Sequence, residues 1–341
     1  MNATAERLVR LLADGELHSG ERLATALGLT RAAVWKTVAE LRARGIEILS
    51  QERRGYRLVH PFELLDAAAV RDAARAVAID WPRSTEIVFE IGSTNETLHA
   101  AAPPPPGSPR LLFAEWQTAG RGRRGRQWVA PFGSGLTFSI GWTFAEMPAD
   151  LSALSLAMGA CVVRALHELG ATTVQLKWPN DVVVGPRKLG GLLSQMRAEA
   201  GGPACVVVGV GLNFHLPAAV RATLAAAPGA SPVTDLAEAC AGAPPGRNVV
   251  AGRTAARMLE GLALFAREGF APFAAAWSRY DSLRDAAVTV LRHDGAFEGI
   301  ARGADAEGAL RVETVAGRIE RVHAGDVSLR PAAAPTAGLV A

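Results

Sequence analysis

Seven residues at 120–126 read Gly-Arg-Gly-Arg-Arg-Gly-Arg, and this segment limits what the chain around it can build. Four guanidinium groups in a row of seven residues repel one another, and three glycines offer no side chain to bury. Ordering such a segment costs about 1–2 kcal/mol of backbone entropy per residue, so it can hardly order alone. An anion supplies the missing stabilisation, because guanidinium forks pair bidentately with phosphate or carboxylate and glycines let backbone N–H groups approach closely. A flexible basic loop, or an Arg-Gly contact to nucleic acid, fits the same residues. A P-loop does not fit, since the Walker spacing and a Gly-Lys-Ser/Thr run are absent.

The loop needs a scaffold, and 341 residues suffice for two or three domains. A chain 49% hydrophobic and 20% charged is of globular and not disordered composition. No uncharged apolar stretch is long enough to cross a bilayer. The N-terminus, Met1–Arg10, contains Glu6 and lacks the pattern of a signal peptide. Cys161, Cys205 and Cys240 are widely spaced among apolar residues, which reads as buried thiols in a reducing cytoplasm, with no disulfide framework and no metal spacing. The formal net charge is +3, and the first 60 residues alone hold ten Arg/Lys against seven Asp/Glu, so the basic excess is N-terminal. That is compatible with a polyanion partner there, or with an ordinary solvated surface. Only three of the 36 basic residues are lysines, Lys36, Lys177 and Lys188. Two of them within twelve residues suggest a site that wants a compact ammonium instead of a planar guanidinium.

Periodicity divides the chain into an α+β arrangement of three domains and a tail. Residues 1–60 read as helices Glu6–Leu12 and Gly20–Leu27 (capped by Ser19), a tight turn at Gly28–Leu29, a third helix capped by Thr30 and running to about Arg44, then strands Ile46–Ser50 and Gly55–Val59: a winged helix-turn-helix. Leu27, Val34, Val38 and Leu41 form its inward stripe, leaving Arg31, Ala32, Trp35 and Lys36 near the start of the third helix and Arg53 and Arg54 in the wing. After a linker, His60–Asp66, residues 67–280 mix strands (Ile87–Ile91, Leu111–Glu115, Leu136–Trp142, Val174–Trp178, Asp181–Val184, Cys205–Leu212) with helices Leu151–Leu169 and Thr254–Ala266. Ala101–Pro109 is a proline-rich surface loop. Residues 285–331 carry short alternating strands (Val288–Arg292, Glu298–Arg302, Leu310–Glu313, Arg318–Val322, Val327–Leu329), expected to form a small SH3-like β-barrel. Residues 332–341 read as a frayed tail.

Three further segments carry polar chemistry. Lys177–Asp181 (Lys-Trp-Pro-Asn-Asp) forms a turn between apolar strands, and a hairpin brings the strand bearing Arg187 and Lys188 beside it. That places Asn180, Asp181 and two ammonium groups near one cleft, where a lysine can neutralise charge developing on a transferring oxygen; a surface hairpin with ordinary salt bridges is the alternative. Gly92-Ser93-Thr94-Asn95 at a strand end caps a helix starting near Glu96, and its hydroxyls and amide can also bind a neutral polar ligand such as a ureido group. Gly209–Asn213 follows a strand and permits close approach of a ligand or a second backbone.

Taken in this order the segments resemble one family, the bacterial bifunctional biotin–protein ligases that also repress the biotin operon. The likeness covers nearly the whole chain. It runs through His18–Glu21 and Thr30–Ala33, through Ser93–Asn95, Gln117, Gly120–Arg126 with Trp128, Lys177–Asp181 and Arg187–Lys188, and on to Ser328–Arg330. One departure is Gly92, where that family often has an acidic residue. The resemblance implies formation of biotinyl-5′-adenylate from biotin and MgATP, then transfer to one lysine of the biotin carboxyl carrier protein of acetyl-CoA carboxylase. By the same resemblance Ser93, Thr94, Asn95 and Gln117 hold the biotin head group and Arg121, Gly122 and Arg123 wrap the biotin. Arg123 and Lys188 stabilise the carboxylate–phosphate centre, while Gly120, Arg126, Trp128, Asn180, Asp181 and Asn213 serve the adenylate or its Mg²⁺. Arg330 reaches the adenylate or the acceptor from the C-terminal domain. No protein-held metal site is expected. Arg31, Ala32, Trp35, Lys36, Arg53 and Arg54 are the expected contacts to an operator, bound by a ligand-promoted homodimer. A ligase without repression, a ligand sensor without transferase activity, and an acyltransferase for lipoate are the competing readings.

Overall fold

The computed structural model describes residues 1–52, 54–198, 202–226, 232–240, 244–292, 295–324 and 328–331. Capping residues set the N-terminal helices. Asn2, Ser19 and Thr30 each accept a backbone N–H from the first turn of α1 (Ala3–Leu12), α2 (Gly20–Leu27) and α3 (Arg31–Ala43). Gly28 ends α2 in the left-handed region. A two-stranded wing follows, β1 (Ile48–Gln51) paired antiparallel with β2 (Gly55–Leu58). Leu8, Val34, Val38, Leu41 and Leu58 close a small core that also takes in Phe89 of the next domain. Arg44 pairs with Glu90 at 3.0 Å and the Arg10 guanidinium lies over the Phe89 ring, so the winged helix rests on the central sheet.

That sheet has seven strands. After α4 (Ala67–Ala74) come β3 (Ser84–Ile91), α5 (Thr94–Ala100), β4 (Arg110–Gln117), β5 (Gly135–Phe144) and α6 (Leu154–Glu168). The hairpins β6 (Gln175–Lys177), β7 (Asp181–Val184), β8 (Arg187–Ala198) and β9 (Ala204–Asn213) complete it. The order is β3-β4-β5-β9-β8-β7-β6, parallel only between β3 and β4. Helices α7 (Ala218–Ala226), α8 (Leu236–Ala239), α9 (Arg247–Glu268) and α10 (Ala271–Tyr280) follow. The strand period of two assigns the faces. On β5, Phe138 and Phe144 turn toward α9, where Phe144 meets Phe265, while Ser139 turns the other way and bonds Thr94 of α5. On β9, Gly209 pairs with Ser139 and Gly211 with Thr137, so two glycines lie on the α5 face beside Val206, Val208 and Val210 on the other. Residues 151–168 match a membrane span in length and apolarity, but two-thirds of them are buried inside this domain, as in a core helix.

The C-terminal strands β10 (Ala287–Arg292), β11 (Gly295–Ala304), β12 (Leu310–Thr314), β13 (Ile319–Val322) and β14 (Ser328–Pro331) form an antiparallel sheet ordered β13-β12-β11-β10-β14. Of the expected SH3-like barrel the structure shows a five-stranded antiparallel sheet; among the described residues no pairing joins β13 and β14. Val288, Val290, Ala301 and Val312 belong to the same apolar core as α6 and α9, and Trp178 Nε1 donates to Gly308 O at 3.0 Å. Of the thiols, Cys161 and Cys205 are buried as expected, with Cys161 pushed up to about 12 by burial, while Cys240 is half-buried. The expected tail, residues 332–341, lies outside the described residues, as does Val327, the expected start of the last strand.

The wing depends on one glycine. Gly55 has φ 132°, and a Cβ there would sit 1.9 Å from the His18 carbonyl oxygen, where His18 and Tyr56 exchange backbone hydrogen bonds. Gly55→Ala is expected to destabilise the N-terminal domain by roughly 1–3 kcal/mol. Faster amide exchange across 48–58 with unchanged exchange in 135–144 is the expected result.

Candidate functional site

At the C-terminal end of β3, Ser93 Oγ accepts from Glu96 N at 3.4 Å and so caps α5. The next two residues turn into the sheet. Thr94 donates through its backbone N (2.7 Å) and its hydroxyl (3.1 Å) to Gln117 Oε1 at the end of β4, and Ser139 lies 2.8 Å from the same hydroxyl. Asn95 Nδ2 donates to Leu193 O at 2.9 Å, while its Oδ1 is buried without a hydrogen-bond partner. Buried polar atoms are normally satisfied, so this acceptor is suited to a ligand N–H. The absent side chains at Gly209 and Gly211 make room: an added Cβ would lie 2.7 Å from Asn95 Nδ2 at the first and 2.5 Å from the Trp128 indole at the second. The indole packs on this glycine floor with its Nε1 unpartnered. At Gly92 a Cβ would meet open space, so the missing acidic residue costs no packing.

The arginine loop has more internal structure than its composition suggests. Gly122 N donates to Arg126 O (2.7 Å) and Trp128 N to Gly120 O (2.9 Å), with a 3-10 turn at Arg123–Gly125 and Arg124 at φ 57°. Its charges have protein partners too. Arg121 reaches Glu96 at 2.8 Å, and Arg123 donates to Asn180 Oδ1 at 3.2 Å and to the Ala324 carbonyl before β14. Arg126 is exposed.

The Lys177–Asp181 turn, with a cis Trp178–Pro179 bond, faces the loop. Lys188 Nζ donates to Asp181 Oδ1 at 2.6 Å, and Asn180 Nδ2 donates to Leu192 O at 2.6 Å, so the expected hairpin does bring Asn180, Asp181 and Lys188 together with Arg123. Lys177 pairs in register with Asp181, but its ammonium makes no hydrogen bond or ion pair among the described residues. Burial lowers its pKa, Asp181 raises it and Lys188 lowers it again, leaving it below the usual lysine range.

Asn213, expected on the adenylate side, lies at the end of β9. It is buried, and its amide donates to Thr234 O at 2.9 Å and toward Lys188 O at 3.5 Å. Lys188 N in turn donates to Pro232 O at 2.7 Å and Lys188 O accepts from Thr234 N at 2.9 Å. Asn213 thus braces the backbone that carries Lys188. Arg330 pairs by backbone with Thr289, and its side chain lies outside the described residues. On the winged helix, Arg31, Ala32, Trp35 (64% exposed) and Lys36 share the open face of α3, and Arg54 is exposed in the wing; Arg53 lies outside the described residues. Sequence reasoning missed Glu96, Ser139, Glu115 and Arg247; only their position in space connects them with the site.

Residues 91–213 match the biotin/lipoate A/B protein ligase family, 4–57 an HTH domain and 286–330 the biotin protein ligase C-terminal domain. The chain belongs to the biotin protein ligase family, in its form with an N-terminal HTH domain. It is 36% identical over 328 residues to the bifunctional ligase/repressor BirA of Salmonella typhimurium, covering 95% of this chain and 97% of that one. It is also 36% identical over 269 residues to the biotin–[acetyl-CoA-carboxylase] ligase of Mycobacterium tuberculosis, covering 77% and 95%. Among solved structures, the Aquifex aeolicus biotin protein ligase in complex with biotin and ATP superposes with a TM-score of 0.59 at 26% identity, covering 73% of this chain and 100% of that one.

The lowered pKa of Lys177 means that folding disfavours its charged form, so the unfolded chain binds more protons between the folded value and the ordinary lysine value. The penalty is fully present below the folded value and vanishes above the ordinary one. Lys177→Met is therefore expected to stabilise the unliganded protein at pH 7, with the gain shrinking toward about pH 10.4. Chemical denaturation across that range measures it; a gain that grew with pH would contradict the assignment.

Proposed function

We propose that this chain forms biotinyl-5′-adenylate from biotin and ATP and then transfers the biotinyl group to one lysine of a biotin carboxyl carrier protein. In its adenylate-loaded form it binds an operator as a repressor. In the first step a biotin carboxylate oxygen attacks the α-phosphorus of ATP and pyrophosphate leaves. In the second the acceptor ε-amine attacks the acyl carbon, loses a proton, and AMP leaves. The adenylate is itself the activated acyl donor, so no protein nucleophile is required.

The observation that carries this reading is that two chemistries border one strand, since Asn95 bonds Leu193 O of β8 and Asn180 bonds the adjacent Leu192 O. At one end Thr94, Asn95 and Gln117, with Ser93 capping the helix behind them, present neutral hydrogen-bonding groups, including the unpartnered Asn95 Oδ1. That end suits a ureido ring. At the other, Arg123 and Lys188 meet Asn180 and Asp181. There the two cations stabilise charge moving from carboxylate to phosphate. Arg121 and Gly122 wrap the biotin chain, Gly120, Arg126 and Trp128 serve the adenylate, and the family likeness assigns Arg330 to the adenylate or the acceptor. Among the described residues no three His, Cys, Asp or Glu side chains cluster as a metal site. A single carboxylate, Asp181, beside substrate phosphates suits Mg²⁺ brought in with ATP. Asn213 acts through the Lys188 backbone. In this reading Arg123 exchanges its bonds to Asn180 and Ala324 for the adenylate, and closure excludes water from a hydrolysable anhydride.

The exposed Arg31, Ala32, Trp35 and Lys36 enter the major groove, with Arg53 and Arg54 on the backbone, as a homodimer on a palindromic site. The protein acts in the cytoplasm, without a membrane partner. A sensor without transferase activity differs in one assay. Biotin-dependent exchange between ATP and pyrophosphate, followed by mass gain on a carrier domain, is expected here, and its absence in pure protein removes the ligase.

Arg123→Ala deletes a charge-assisted contact worth ~2 kcal/mol, which is ~thirtyfold in release rate. Free adenylate should accumulate and bystander amines become labelled; retention equal to the parent's would remove the loop from this role. Arg31→Ala with Lys36→Ala is expected to weaken operator binding and, with four cations lost per homodimer, lower the salt slope by about four, read by titration at several salt concentrations.

A further inference from the structure

Among the described residues of the central domain one ion pair has both side chains almost fully buried. Arg247, the first residue of α9, is 0% exposed and donates through Nη1 to Glu115 Oε2 at 2.8 Å. The same guanidinium donates through Nη2 to Gly135 O at 2.9 Å and through Nη1 to Glu63 O. The other oxygen of Glu115 accepts from Leu65 N. Glu115 lies two residues before Gln117, on the strand leading into the arginine loop, and Gly135 is where the chain returns from that loop into β5. Glu63 and Leu65 belong to the linker from the winged helix. Glu115, Gln117, Trp128, Gly135 and Thr137 border one narrow gap beneath the loop.

The linker is fixed there from several sides. The Glu63 carboxylate accepts from Asn248 N and Nδ2 at the start of α9, and Asp66 N donates to Asn248 Oδ1 at 2.8 Å. Phe62 lies under the Arg247 guanidinium, 5.8 Å from its carbon to the ring centroid. It also presses on Gly133, where an added Cβ would meet its ring at 2.6 Å, and stands edge-on to Phe132. The winged-helix linker and the returning limb of the loop thus rest on one another and on one fork.

We propose that Glu115 and Arg247 are a positioning pair for adenylation. Their shared fork fixes the separation of the two limbs of the arginine loop, and so the retention of the adenylate beneath it. A buried pair is a costly way to gain stability, since an apolar pair of equal volume is often as good. A planar guanidinium, unlike a point charge, satisfies a carboxylate and two carbonyls on three separate segments at once. Neither residue touches the ligand in this account; both act through Gly135 and Gln117.

The inference rests on the loop's role in holding the adenylate, and the test separates the two. Arg247→Lys keeps the buried charge balance but loses the fork. The double variant Glu115→Gln/Arg247→Met removes both charges and remains available if the lysine variant does not fold. Each would be measured for thermal midpoint, for the dissociation rate of preformed biotinyl-adenylate, for the biotin KM, and for single-turnover transfer to a carrier domain. A folded variant is expected to release adenylate about tenfold faster, with a raised KM and an unchanged transfer rate from loaded enzyme. A merely structural pair would lower the active fraction and leave the release rate and KM per folded molecule untouched; that result in a folded variant overturns the proposal. If Arg123→Ala hastens release and the Arg247 variants do not, the positioning pair alone fails. If Arg123→Ala does not hasten release either, the loop's role fails first.

Discussion

The buried contact between Arg247 and Glu115 joins parts of the chain that nothing local would bring together. Burying a single carboxylate or guanidinium alone would cost several kcal/mol, so each is tolerable only because the other is there. With both in place, the linker, the first turn of α9 and the strands on either side of the arginine loop share one anchor. The remaining architecture is arranged around that point. Apolar side chains of β5 and β9 turn toward the helices, and the opposite face is left to small residues and to hydrogen-bonding groups.

The cleft that results concentrates positive charge. Arg123, Lys177 and Lys188 gather around Asp181, and Arg121 reaches Glu96; among the described residues these are their carboxylate partners. Carbonyls and an amide share the load: Arg123 uses Asn180 and Ala324, and Lys177 bears a depressed affinity for its proton. Such an excess of positive charge suits the anionic intermediate proposed for this site. The unpartnered acceptor of Asn95 is the same strategy in neutral form.

Much of this was legible in the sequence where the signal is local. Ser19, Thr30 and Gly28 punctuate the helix-turn-helix because caps and left-handed turns use few residue types, and all three stand where expected. The Lys-Trp-Pro-Asn-Asp turn folds back on Lys188 because proline and asparagine mark turns between apolar strands. Non-local facts were hidden. Glu115 and Arg247 are 132 residues apart, and one arginine among 33 carries no mark of burial. Strand β8 runs twelve residues through the sheet, yet Gly190 and Gly191 interrupt its apolar pattern, so only its start could be inferred. Asn213 ends a glycine-rich strand, but its bond to Thr234 depends on a segment twenty-one residues later and could not be read locally. The C-terminal strands have the alternation of a small barrel, and alternation alone does not specify whether the edges of their sheet meet.

Trp178 gives the domain boundaries a different meaning. Its ring is 2% exposed, it sits within the turn that carries Asn180 and Asp181, and its indole N–H is held by Gly308 of the C-terminal sheet. The line drawn near residue 285 by changing periodicity therefore crosses a continuous interior. The terminal sheet is less an appended module than a wall of the chamber in which the turn is set. Exchanging that wall for another protein's would require refitting the turn it supports.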